Sequence, residues 1–149
     1  MLRRLVASVA AIVLVVEAAV LVLVHIVLGA TTHNQAMSIA GMDPDVMSAA
    51  TYAMGAGIGV FLLAGAVLLA ITAIRDRPPG RFARVLFVVT AVTHVVLGAL
   101  AAALVGWGAF AATMVIFCLL VLVLTLYARA VGESPREGAG EMKVTSTSP

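Results

Sequence analysis

Polar residues along this chain fall in blocks, and between the blocks lie four apolar runs, at residues 5–28, 51–74, 82–105 and 109–130. Each run has the roughly 20 residues an α-helix needs to cross a hydrocarbon core about 30 Å thick. Membrane strands would show instead as short segments of alternating polarity, whereas continuous runs of this length satisfy their backbone groups in lipid only as helices. The expected fold is therefore all-α, a four-transmembrane-helix bundle forming one domain at residues 1–130. Composition agrees, because 63% hydrophobic and 11% charged residues leave too little polar surface to coat a water-soluble globule. From residue 131 the segment VGESPREGAGEMKVTSTSP mixes Gly, Ser, Thr, Pro and both charges without periodicity, which predicts a disordered cytoplasmic tail.

Charge sets the orientation. Arg3 and Arg4 precede the first run, Arg75, Arg77, Arg81 and Arg84 lie between the second and third, and Arg129, Arg136 and Lys143 follow the fourth. Every cation thus falls on one side, while Asp43 and Asp45 fall on the other. Cationic loops are retained in the cytoplasm, so the expected topology is N-in/C-in in a cell membrane. Tyr52 and Trp107 at the outer boundary, with Phe82 and Tyr127 at the inner one, fit the interfacial preference of amphipathic rings. The first run is too long for a signal-peptide core and is interrupted by Glu17, so it is expected to stay as a span.

Local signals refine the elements. In the outer loop ATTHNQAMSIAGMDPDVMSA, Asp43 followed by Pro44 reads as an N-cap and first helical residue, which starts the second helix before it enters the membrane. The turn Gly106-Trp107-Gly108 is short enough to make the third and fourth helices antiparallel neighbours. Helix packing in lipid relies on close backbone approach, so small residues mark the expected inward faces. These are Ala7, Ala11, Ala18, His25 and Gly29 on the first helix, and Gly55, Gly59, Ala66 and Ala73 on the second. The third contributes Thr90, His94, Gly98 and Ala101, and the fourth Ala111, Cys118 and Thr125.

Glu17 is the anomaly. It lies about twelve residues into the first helix, as His94 does in the third, so the 1.5 Å rise puts both near the midplane. Glu17 is turned roughly 80° from its own small-residue seam, on a flank that a neighbour can cover. A carboxylate at that depth must find a partner or protonate, at a cost of about 3 kcal/mol on insertion scales for an isolated charge. Glu17 and His94 are therefore expected as an interhelical polar pair, either structural glue or a proton-binding site.

Other chemistry is thin. Glu17, His94 and Cys118 have acceptable ligand types without motif spacing, and His33, Met37, Met42 and Met47 offer imidazole and thioethers suited to Cu(I) without a compact arrangement, so no metal and no cofactor is expected. His25 is expected near the outer interface, and RDRPPGRFAR could attract anionic headgroups while serving chiefly topology. Glycine-rich phosphate loops, nucleophile elbows, HExxH and CxxC are all lacking, so enzyme activity is not expected. The one cysteine, Cys118, excludes an intramolecular disulfide.

A midplane glutamate in the first of four helices is similar to the small multidrug resistance transporters, where that carboxylate binds protons and cationic drugs. The surroundings VVEAAVLVLVH lack that family's aromatic and threonine pattern, and the function is not carried over. The stretches NQAMSIAGMDPDVMS, RDRPPGRFARVL and GALAAALVGWGAF more closely resemble a group of uncharacterised small integral membrane proteins from actinobacteria. That resemblance implies the four-helix topology and no activity. The expected role is an accessory or structural membrane protein acting through helix-mediated association, with Gly55 and Gly59 as the packing surface for a second copy or a membrane-protein partner. The alternative is a small proton-coupled transporter using Glu17 and His94. The bilayer is the expected environment, and nucleic acid is not an expected partner.

Overall fold

The structure, a computed structural model, describes residues 1–36 and 41–133. Within them it is all-helical: α1 spans Leu2–Asn34, α2 Pro44–Arg75, α3 Arg81–Leu104 and α4 Trp107–Glu133. All four are long and apolar enough to cross a membrane. At 1.5 Å per residue the 33 residues of α1 and the 32 of α2 reach about 50 Å, well past a hydrocarbon core, whereas the 24 of α3 span about 36 Å. The expected tail falls outside the described residues from 134 onward, as do Met37, Arg136 and Lys143.

The start of α2 follows its local chemistry. Asp43 Oδ1 accepts the Asp45 N–H at 2.8 Å, and Pro44 opens the helix where its missing N–H costs nothing. At the other end of the connection His33, in the last turn of α1, meets Asp45, in the first turn of α2, with Nδ1 2.8 Å from Oδ1. When His33 is protonated, each charge also lies at the helix end whose dipole favours it. Between α3 and α4 the chain turns tightly: Val105 and Gly106 both donate to Ala101 O, and Gly106 adopts φ +124°. That backbone conformation strains any residue with a side chain. The turn is tighter than the sequence suggests, because Trp107 already belongs to α4.

The chain divides into two compact units, residues 8–70 and residues 1–7 with 71 onward. In the first, α1 and α2 pair antiparallel by setting large side chains against glycine. A Cβ at Gly65 would meet Leu14, one at Gly59 would meet Val22, one at Gly55 would meet His25, and one at Gly29 would meet the Tyr52 ring. As the position rises along one helix it falls along the other, the signature of antiparallel register. Ser48 Oγ, itself buried, closes the end of the pair where α1 leads into α2 by donating to Gly29 O at 2.8 Å.

In the second unit α3 and α4 form the other antiparallel pair, with Met114, Thr113 and Phe110 around Gly98. Phe87, Thr90 and His94 on α3 and Ile116, Leu120, Val123 and Tyr127 on α4 are buried. The expected inward faces of α1 and α2 hold, since Ala7, Ala11, Ala18, Gly29, Gly55, Gly59, Ala66 and Ala73 are all buried and His25 half-buried. On α3, Thr90, His94 and Gly98 are buried and Ala101 is half-buried. On α4 the expectation fails: Ala111, Cys118 and Thr125 are exposed. At 100° per residue they lie about 180° from the buried face. The physical reason is that only one partner of a close pair must be small; α3 supplies the hole at Gly98, and α4 fills it with bulk.

Candidate functional site

Three places concentrate chemistry. The first is a clamp on the C-terminal end of α2, built within the second unit. Asp76 follows the last residue of α2 with φ +49°, a left-handed conformation that Asp tolerates better than most residues. Its carboxylate takes a bidentate pair from Arg3, Nε to Oδ1 at 2.7 Å and Nη2 to Oδ2 at 2.9 Å. That hydrogen bonding holds the Asp76 carboxyl below its ordinary range. Arg4 Nε donates to Ala73 O at 3.0 Å, and Tyr127 OH to Thr72 O at 3.3 Å, so two terminal carbonyls of α2 gain donors. The Arg3 guanidinium also lies 5.8 Å from the centre of the Tyr127 ring.

Residues 3, 76 and 127 are far apart in sequence, and nothing local announces the clamp. The usable signal was topological: the cationic asymmetry puts Arg3 on the same side as Asp76, the one acid of that loop.

The second feature is a histidine in each unit, both on helices long and apolar enough to cross a membrane. His94 on α3 is 1% exposed, and its Nδ1 lies 2.7 Å from Thr90 O. His25 on α1 makes the same bond to Leu21 O, also at 2.7 Å. A carbonyl only accepts, so Nδ1 carries the proton in both rings and Nε2 is the basic nitrogen of the neutral form. Thr90 Oγ1 in turn donates to Leu86 O at 2.8 Å. Glu17 is half-buried on α1 within the unit 8–70, whereas His94 belongs to the other unit. His25, on the expected inward seam of α1, packs against Gly55. Among the described residues, no buried side-chain nitrogen or oxygen lacks a hydrogen-bond partner.

The third place is the outward face of α4. A shallow apolar groove of about 300 Å³ is lined by Met114, Val115, Cys118, Leu119 and Leu122, along the exposed line of Ala111, Cys118 and Thr125. By contrast Gly55 and Gly59 are taken up within the chain by His25 and Val22, so that surface packs α2 on α1.

The metal candidates resolve differently. Among the described residues no group of three His, Cys, Asp or Glu side chains is placed to hold a metal ion. His33 Nδ1 is engaged by Asp45, and Met37 lies outside the described residues.

These features define a class, a multi-pass helical membrane protein. Compared with family models, with curated proteins and with solved structures, the chain matches none.

Proposed function

We propose that the chain is a four-helix bundle with both termini in the cytoplasm, and that it serves as an accessory membrane protein by associating through the outward face of α4. One observation carries the reading: of the small-residue faces, that of α4 alone is turned away from the chain's own packing, with a groove beside it. In lipid such a face gains by close packing against another helix, because nothing else there supplies dense contact. The partner we favour is α4 of a second copy. Two copies inserted with the same orientation and related by a two-fold axis along the membrane normal bring equal depths together, so Cys118 would face Cys118.

The native cysteine makes the test direct. Oxidation in membranes with copper phenanthroline should give a disulfide-linked dimer of the full chain, lost in Cys118→Ser. In that cysteine-free background Ala111→Cys and Thr125→Cys should restore it, while Phe117→Cys, turned about 100° away, should not. Equal crosslinking from all three positions, or none from Cys118, would overturn the proposal.

A second reading, proton-coupled transport through Glu17 and His94, draws on two ionisable groups within spans. It requires pH-dependent uptake that disappears in Glu17→Gln while the protein still inserts.

A further inference from the structure

Beside the α2–α3 loop lies a cavity of about 400 Å³ walled by Pro78, Pro79, Arg84, Leu124, Tyr127 and Ala128. It is unlike the grooves along the spans, which are apolar throughout, because an arginine forms part of its wall. Several facts give it a sign. Asp76, the acid of this loop, is already held by Arg3 through both carboxylate oxygens. Among the described residues neither Arg84 nor its neighbours Arg75, Arg77 and Arg81 has a carboxylate partner. The Tyr127 hydroxyl is engaged with Thr72 O, so that residue offers its ring. Arg84 also sits in the opening turn of α3, where Gly80 provides no side-chain cap and no acidic residue balances the positive helix end. Among the described residues the charge in this wall is uncompensated, and it calls for an anion.

The remaining walls say what the anion is attached to. Pro78, Pro79, Leu124 and Ala128 present carbon, which a small hydrated phosphate would leave unused. A phosphodiester carrying glycerol and acyl carbons satisfies both sides at once: its phosphate meets the Arg84 guanidinium, and its carbons lie on Leu124 and Ala128. The position agrees, since the cavity lies where α3 begins and α4 nears its end on the cationic side and Phe82 nearby is 76% exposed, as an interfacial ring would be. We infer that this cavity is a binding site for the headgroup of one anionic glycerophospholipid, held by Arg84 and seated on Leu124 and Ala128. The inference stands apart from the proposed α4 contact, because none of Ala111, Cys118 and Thr125 lines the cavity.

The test is lipid retention by the full chain, released from nanodiscs of phosphatidylglycerol mixed with phosphatidylcholine and weighed by native mass spectrometry. One phosphatidylglycerol per chain should be retained, saturably. Arg84→Gln should lower its retention by about fivefold or more, the usual effect of one cation at a membrane surface. Ala128→Phe, which fills the cavity without changing charge, should lower it comparably. Both side chains are exposed, so neither change empties the core, and circular dichroism of each variant should match wild type. Arg77→Gln removes the same charge outside the cavity and should leave the retained lipid in place. Equal losses in Arg77→Gln and Arg84→Gln would reduce the effect to diffuse surface attraction, and unchanged retention in Ala128→Phe would remove the cavity from it; either overturns the site. Displacement of the lipid by inorganic phosphate would assign the cavity to a soluble anion and overturn the lipid source.

Discussion

Two glycines two residues apart on α2 give opposite forecasts for the same substitution. At Gly55 an added Cβ meets the Cβ of His25, an atom fixed by the α1 backbone that no rotamer change can move. At Gly57 the added Cβ meets nothing within 4 Å. Forcing one carbon into a packed contact costs about 1–3 kcal/mol, and the stiff neighbour argues for the upper end. Alanine recovers up to about 1 kcal/mol of helix propensity at either site. Gly55→Ala should therefore destabilise the protein by about 2 kcal/mol, while Gly57→Ala should be neutral or stabilise it by up to about 1 kcal/mol. Gly59→Ala falls between them, since Val22 Cγ2 lies 2.6 Å from the added carbon and a β-branched side chain has few alternative rotamers. Reversible unfolding in bicelles, by steric trapping or a denaturant titration, reads the order directly. Gly57→Ala as costly as Gly55→Ala would refute the antiparallel pairing of α1 and α2. So would a Gly55/Gly59 double variant that loses oligomers at unchanged monomer stability, because it would place that surface between chains.

The clamp on the C-terminal end of α2 has a pH signature. A carboxyl held below its ordinary value stabilises the folded state above that value and loses the contribution as pH falls through its lower, folded pKa, so protection of residues 1–7 should weaken below about pH 3.8. Hydrogen exchange should show this loss in wild type and no such step in Asp76→Asn; parallel curves would place the effect elsewhere. Asp43→Ala removes the acceptor of the Asp45 N–H and should cost about 1 kcal/mol of α2 stability, read from amide exchange over residues 44–48. In Thr90→Val the buried His94 keeps its bond to the backbone carbonyl, so the His94 Nδ1 proton should remain visible by NMR; its loss would mean that the threonine side chain orients the ring.

Helix number and most faces were legible in the sequence because lipid and backbone chemistry act through long, redundant patterns. A span needs about 20 apolar residues, and substituting several leaves the signal intact. The Asp43-Pro44 start was legible for a different reason: capping depends on residues adjacent in sequence. The Arg3–Asp76 pair lies at the other extreme. It depends on bringing together two residues 73 positions apart, and each alone reads as an ordinary flanking charge.

The outward face of α4 fails in a more instructive way. Small residues say that a helix can be approached closely, without saying from which molecule. On α2 the glycines are matched within the chain by Leu14, Val22 and His25. On α3 Gly98 is matched by Met114 and Phe110, while Ile116, Leu120, Val123 and Tyr127 fill the buried face of α4 and leave its small face exposed. A water-soluble helix would seldom do this, since the face opposite a core is normally polar. In lipid that face stays apolar whether it meets acyl chains or protein, so its small residues are the one sign left of a closer neighbour. Ala111, Cys118 and Thr125 recur every seven residues on an exposed apolar helix, the spacing by which a partner helix keeps contact over two turns at a time. The same pattern that misplaces α4 inside its own chain thus becomes the ground for expecting a second chain against it.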